Sequence, residues 1–273
     1  MPDPFIIMSA PNGARRQKSD HPALPITPRE LAECAVQVSG AGASILHLHV
    51  RDENNQHSLD VERYRAAIRA IREAVGDDLV IQVTSEAVGK YNRFEQMDMV
   101  KRLKPQAVSL ALREICPTDA ALGEVEDFIR WISDERIFPQ YILYNEADYT
   151  RFESYRKKGV FQHDSPFVLF VLGRYQGAES PESMSSTGFL KKIQQASVPW
   201  AVCGFADNER HAIAFAAKQG GHVRVGFENN ILQENKALLE DHTVMIKACV
   251  EAAQRERRAT ASPIDVKNML KIG

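Results

Sequence analysis

From end to end this chain alternates short apolar runs with amphipathic stretches, and that alternation confines it to α/β architectures. The runs cover residues 5–9, 44–52, 79–83, 107–112, 137–144, 167–172, 200–205 and 222–225. Each is the length of a buried strand. Residues 167–172 are almost unbroken in apolar character, as expected when both faces of a strand are covered. Eight strands alternating with helices, with no break that reads as a linker, is the arithmetic of a (β/α)8 TIM barrel, and 273 residues suit one. A doubly wound open sheet is the alternative. The expected organisation is a single barrel domain over residues 1–258. A small-residue linker and a short C-terminal helical tail follow over 259–273.

Local signals mark the helices. Thr27 as N-cap, Pro28 at the first helical position and Glu30 closing a capping box start a helix that runs to about Gly40. Asp60 caps a second helix whose stripe is Tyr64, Ile68, Ile71 and Val75, ending at Gly76. Further helices are expected over 94–103, stopped before Pro105, and over 125–132, 147–158 and 190–196. Asp207 caps one that ends at Gly220-Gly221, and a long final helix is expected over 235–258. The polar loop 10–16 is long for its position. The loop 173–186, rich in Gly, Ser and Pro, reads as a binding loop.

Charge excludes some partners. A net charge of −2 provides no basic surface to hold nucleic acid or an anionic membrane. The run Arg255-Glu256-Arg257-Arg258 reads as the solvated end of a helix. Four scattered cysteines, Cys34, Cys116, Cys203 and Cys249, without CxxC spacing, read as reduced thiols of a cytoplasmic protein. No signal region and no apolar run of the ~18 residues needed for a membrane span is present.

The chemistry is concentrated in Ser44-Ile45-Leu46-His47-Leu48-His49-Val50-Arg51-Asp52. Side chains two apart on a strand share a face, so His47 and His49 are expected side by side, with Arg51 following. Two such imidazoles are either ligands for a borderline metal such as Zn²⁺ or core histidines bonded to their neighbours. Barrel sites lie at the C-terminal ends of the strands. The eighth strand leads into Arg224-Val225-Gly226-Phe227-Glu228-Asn229-Asn230, and closure places strands eight and two on either side of strand one. Glu228 can then reach a metal held by His47 and His49. Two His and one carboxylate with open positions make a catalytic set rather than a closed structural one. Read alone, Glu228 is equally a solvated loop acid. Arg224, at a strand end, could hold a carboxylate or enolate.

The chain resembles the β-keto acid cleavage enzyme family. The resemblance rests on Asn12-Gly13-Ala14, on residues 21–28 and 41–52, on Phe170-Val171-Leu172-Gly173 and on residues 220–230, in family order over nearly the whole chain. It implies a TIM barrel, a homotetramer, and Zn²⁺ held by His47, His49 and Glu228. It also implies a retro-Claisen-type exchange of a β-keto acid with acetyl-CoA, giving acetoacetate and an acyl-CoA. Arg224 and Ser85 match catalytic positions. Asn12, Thr84 and Ser109 match substrate-binding ones, with Thr84 and Ser85 as alternatives for one hydrogen bond.

The chain departs from the family pattern at three places. Asn229 stands where the family carries an Asp paired with the strand-eight arginine, and an amide is no general base. The acid-bearing motif of strand five is replaced by Tyr141-Ile142-Leu143-Tyr144-Asn145. Arg15 stands where members acting on an aminated keto acid carry a Glu. An enzyme that does not prefer an aminated substrate is expected, and Arg15 with Arg16 suits an anionic or polar distal end, unless both are solvated loop residues. Two other readings compete: a metal-dependent hydrolase or lyase without CoA, and a binding protein that keeps the metal but has lost its base at Asn229.

Overall fold

The computed structural model describes residues 3–161, 166–173 and 187–272 of the chain. Among these, eight parallel strands close into a barrel: β1 (Ile7–Ser9), β2 (Ile45–Leu48), β5 (Val80–Thr84), β6 (Ala107–Ala111), β7 (Phe138–Leu143), β8 (Phe167–Leu172), β9 (Trp200–Gly204) and β10 (His222–Val225). The missing numbers, β3 (Val50–Arg51) and β4 (His57–Ser58), belong to a small antiparallel hairpin. Closure runs through β1, which pairs with β10 at Met8 and Arg224 and with β2 at Met8 and Ile45. The barrel expected from the sequence is therefore the fold, and strands β10 and β2 do flank β1.

Alternate residues of each strand build two layers. Leu46, Leu48, Val83, Val108 and Val168 pack outward under the helices. Ile6, Met8, Ile45, Val80, Ala107, Phe138, Phe167 and Ala201 fill the barrel interior. The tail helix α10 (Pro263–Leu270) joins the interior group through Val266 and Leu270. Its linker is tied down by a bridge between Phe5 and Thr260. The tail thus closes the end where the strands begin, and the site is left at the other end.

Helix starts follow the capping chemistry. At α1 (Pro28–Ala41), Thr27 and Glu30 form the reciprocal capping box. At α2 (Val61–Val75), Asp60 accepts from the Arg63 N–H. Asp207 departs from this: among the described residues its carboxylate makes no cap hydrogen bond to the helix Asn208–Gln219 and accepts instead from Lys236 Nζ. Three further expectations require correction. The stretch 44–52 is not one strand: β2 ends at Leu48, and Arg51 belongs to the hairpin, whose turn is drawn tight by Asp52 Oδ1 accepting from Asn54 and Gln56. The final long helix starts at Thr243, not near 235, because the side chains of Asn235 and Asp241 accept from backbone N–H groups two residues on and hold turns there. Arg258 is not solvated. It is buried and donates to the carbonyls of Ala216, Ala217 and Gly221 at the end of α8 (Asn208–Gln219).

Candidate active site

The metal-ligand geometry begins with how two loops are held. After β10 the chain turns at Gly226, whose φ of +136° suits glycine alone, and a Cβ there would lie 2.4 Å from the Ala10 carbonyl oxygen. Ala10 in turn accepts from the Glu228 N–H at 3.0 Å, and the Asn229 and Asn230 N–H groups bond back to Gly226 O. Behind the turn the buried Glu209 accepts from the Gly226 N–H at 2.9 Å. The result is a short reverse turn that swings Glu228 over the barrel axis. The loop after β1 is fixed from the other side. Arg51, displaced from the strand face, donates to the carbonyls of Gly13, Arg16 and Asn55.

His47 sits inside the barrel, and its protonation state follows from its neighbours. Gln140 Nε2 reaches Met8 Sδ, and Gln82 Nε2 donates to Gln140 Oε1. Gln82 therefore presents its carbonyl oxygen to His47 Nδ1, 2.8 Å away. Nδ1 carries the proton, and the lone pair lies on Nε2, where Arg224 Nη1 approaches to 3.2 Å. Burial, then the charge of Arg224, hold the His47 pKa down to about 3. His49 lies one residue beyond β2, and its carbonyl accepts from Asn12 Nδ2 at 3.1 Å. Burial alone would raise the Glu228 carboxyl, but the charge of Arg224, whose Nη2 stands 3.1 Å from Oε1, holds it well below the usual carboxylate range.

Three ligand atoms converge. His47 Nε2 and His49 Nε2 are 3.2 Å apart, and Glu228 Oε2 is 3.6 Å from the first and 3.5 Å from the second. Bonds of about 2.0–2.1 Å at tetrahedral angles require ligand–ligand edges of about 3.3–3.4 Å. All three residues are buried, and together they can hold a metal ion. His47 and Glu228 also line the cavity, so an ion held by the three residues would be open to a ligand there.

The cavity above is lined by His47, Arg224 and Glu228, by Arg15, Thr84 and Ser109, and by Glu86, Ala111, Ile142, Tyr144, Val171 and Phe205. Six residues singled out from the sequence therefore meet in one place. Ser109 Oγ is buried and has no hydrogen-bond partner among the described residues, which suits an oxygen-bearing ligand. Of the two alternatives at the end of β5, Thr84 faces the cavity. Ser85 is buried behind it and donates to the Ser109 carbonyl at 3.2 Å. Asn12 acts on His49 from below, and Asn229, fully buried, does not line the cavity. Residues 174–186 of the expected binding loop lie outside the described residues.

Two cavity groups escape a reading by spacing. Glu86 follows β5 by two residues, and burial pushes its carboxyl above the usual range. Its signal was an acid immediately after a strand end, the position where barrel sites gather. Tyr144 directly follows the fifth barrel strand, β7, and stacks on the Arg113 guanidinium at 3.6 Å.

Comparison with known proteins bears on the family and the fold. The model of the family described as "beta-keto acid cleavage enzyme" matches residues 4–272. The chain is 28% identical to a 3-keto-5-aminohexanoate cleavage enzyme of Fusobacterium nucleatum, with 100% of this chain and 99% of that one covered. It is 22% identical to a 3-oxoadipate:acetyl-CoA acetyltransferase of Cupriavidus necator, covering 99% of this chain and 95% of the other. Among solved structures, the apo structure of ObcA superposes with a TM-score of 0.72 at 13% identity, over 92% of this chain and 66% of that one, which speaks to the fold alone.

Proposed function

This chain belongs to the beta-keto acid cleavage enzyme family and is an enzyme of β-keto acid:acetyl-CoA exchange, and we propose that Zn²⁺ held by His47, His49 and Glu228 carries the reaction. In the proposed exchange, the bond between C2 and C3 of the keto acid breaks and C2 joins the acetyl carbonyl carbon, giving acetoacetate. The remaining acyl group takes the CoA sulfur as a thioester. When bound, Zn²⁺ supplies a Lewis acid for oxygens on which negative charge develops.

The side chains divide the remaining work. Arg224, buried beside His47 and Glu228, holds a substrate carboxylate or the developing oxyanion. Thr84 and Ser109 point hydroxyls at the cavity and orient the substrate oxygens. Asn12 holds the His49 backbone. Arg15 meets the distal end of the substrate, and an anionic or polar group there is favoured over an amine. Asn229 cannot take a proton, so the proton moves by another group. Four buried free thiols suit a reducing cytoplasm, and the assembly is proposed to be a homotetramer.

The single observation that supports the reading most is the convergence of three ligand atoms at tetrahedral spacing. The test combines metal analysis with a keto acid panel, assayed with and without acetyl-CoA. Stoichiometric Zn²⁺ and turnover that requires acetyl-CoA are expected. Turnover without acetyl-CoA would replace this reading with a hydrolase or lyase. Zn²⁺ and keto acid binding without turnover would replace it with a binding protein.

A further inference from the structure

The two imidazoles are unequally supported. Nδ1 of His47 has the Gln82 carbonyl oxygen at 2.8 Å. Nδ1 of His49 is buried in a residue with 0% exposure and, among the described residues, has no hydrogen-bond partner. A ring nitrogen sealed from water in this way points to a partner that closes on it. One acid oxygen stands within reach: Glu86 Oε2, 4.0 Å away.

We propose that Glu86 is the outer partner of His49, accepting its Nδ1 proton, fixing Nε2 as the metal-facing nitrogen and thereby setting the affinity of the site. The inference rests on the metal reading above. A carboxylate behind a ligating imidazole orients the ring and raises its basicity. Closing from 4.0 Å to hydrogen-bond distance needs a movement of about 1 Å. The Glu86 side chain is 21% exposed, and the proposal requires a rotation of that side chain. Its backbone is already held. The Glu86 carbonyl accepts from His57 Nε2 at 2.9 Å, and its N–H donates to Thr84 Oγ1 at 3.1 Å. The His57 ring lies 5.3 Å from that of His49, so His57 braces the segment that carries the carboxylate. Asn12 secures the backbone of His49 and Glu86 its ring. Glu86 is thus a positioning residue, although it also borders the substrate cavity.

The test uses the full chain, stripped with a chelator and titrated with Zn²⁺ against a chromophoric competitor, then with Co²⁺ read by visible absorption. Glu86→Ala is expected to weaken Zn²⁺ binding by about 10- to 100-fold and to shift the Co²⁺ bands. Glu86→Gln keeps an acceptor for Nδ1–H, so it is expected to recover part of the affinity while still shifting the bands, because the charge is gone. The Gln variant is isosteric and keeps the test decisive should Glu86→Ala fail to fold. Zn²⁺ affinity and Co²⁺ bands unchanged in Glu86→Gln would overturn the proposal. So would unchanged metal affinity with a raised KM, which makes Glu86 a substrate contact, or with a lost kcat, which makes it a proton carrier. An unaltered protein that binds no Zn²⁺ would bring down the metal reading itself, a result distinct from any of these.

Discussion

Gly13 lies directly against Glu228: a Cβ at position 13 would sit 2.5 Å from the Cγ of the acid and 2.9 Å from its Cβ. The φ of Gly13 is +58°, in the left-handed region. A carboxylate that follows the last strand is therefore seated on a glycine in the loop after the first.

Gly13→Ala is predicted to push Glu228 away from the two imidazoles. The backbone conformation adds about 1–2 kcal/mol of strain, which a chain of this size tolerates, so the protein should fold. Zn²⁺ affinity is expected to fall at least about tenfold, in the range seen when ligand support is lost. Metal titration together with a thermal melt checks this. Unaltered affinity would mean that the acid is not held by this contact.

Arg51→Lys is predicted to loosen the loop that carries Asn12 and Arg15. The guanidinium bridges the Gly13 carbonyl at 2.7 Å, that of Arg16 at 3.0 Å and that of Asn55 at 2.8 Å. A single ammonium cannot span three directions from one buried position. Hydrogen bonds to charged groups are worth about 1.5–3 kcal/mol each, and a loss of roughly that size for one or two of them is expected. The urea midpoint should fall with the slope unchanged, and KM for the keto acid should rise. A variant with the midpoint and KM of the unaltered protein would show that the clamp is dispensable.

Arg51 also marks how far the sequence could be read. Period-two spacing placed His47 correctly, because its position inside β2 depends only on strand alternation. It misplaced Arg51, because β2 stops at Leu48 and a hairpin begins, a change set by the Asp52 turn and not by hydrophobicity. His49 still reaches the site, since Asn12 holds its carbonyl. The separation of Thr84 from Ser85 was equally invisible, because one residue of register decides which faces inward. Glu86 carried no periodic pattern, only its place two residues after the end of β5. The eight strands were legible because burial on both faces writes them in apolar residues.

His222, at the opposite end of β10, makes the stability of the barrel sensitive to acid. Its Nδ1 accepts from the Ile6 N–H at 3.1 Å, which requires a neutral ring. Burial, then the charge of Arg258, hold its pKa down to about 3. The unfolded value is about 6.5. Between those two pH values the unfolded chain binds a proton that the folded chain does not, so stability is complete above about pH 6.5 and falls as pH drops. The slope for this residue is at most about 1.4 kcal/mol per pH unit. His222→Asn keeps an acceptor near the Nδ1 position but cannot titrate. Urea unfolding of the metal-free protein at pH 7, 6 and 5 is expected to show a shallower acid slope in the variant. His47 and His57, held down to about 3, and His242, held down to about 4, should leave a residual slope in both proteins. Equal slopes in variant and unaltered protein would mean that the His222 ring is protonated without cost.

The distal end of the substrate is the remaining specificity question, and it turns on Arg15. Arg15 is exposed, yet it lines the same cavity as Thr84, Ser109 and Glu228. Exposure limits what its charge contributes, because water screens it. Arg15→Ala is therefore predicted to raise KM for a β-keto acid ending in a carboxylate by no more than about tenfold, equivalent to about 1.4 kcal/mol. KM for a neutral keto acid of the same length should stay within about twofold. Arg15→Glu reverses the charge, and so should penalise the anionic substrate further and improve 3-keto-5-aminohexanoate, whose ammonium then faces an acid. Neither change should affect Zn²⁺ affinity, because Arg15 touches the open side of the cavity and not the ligand shell. Steady-state kinetics on the three keto acids decide the matter. An unaltered protein that preferred the aminated substrate would remove Arg15 from the specificity argument.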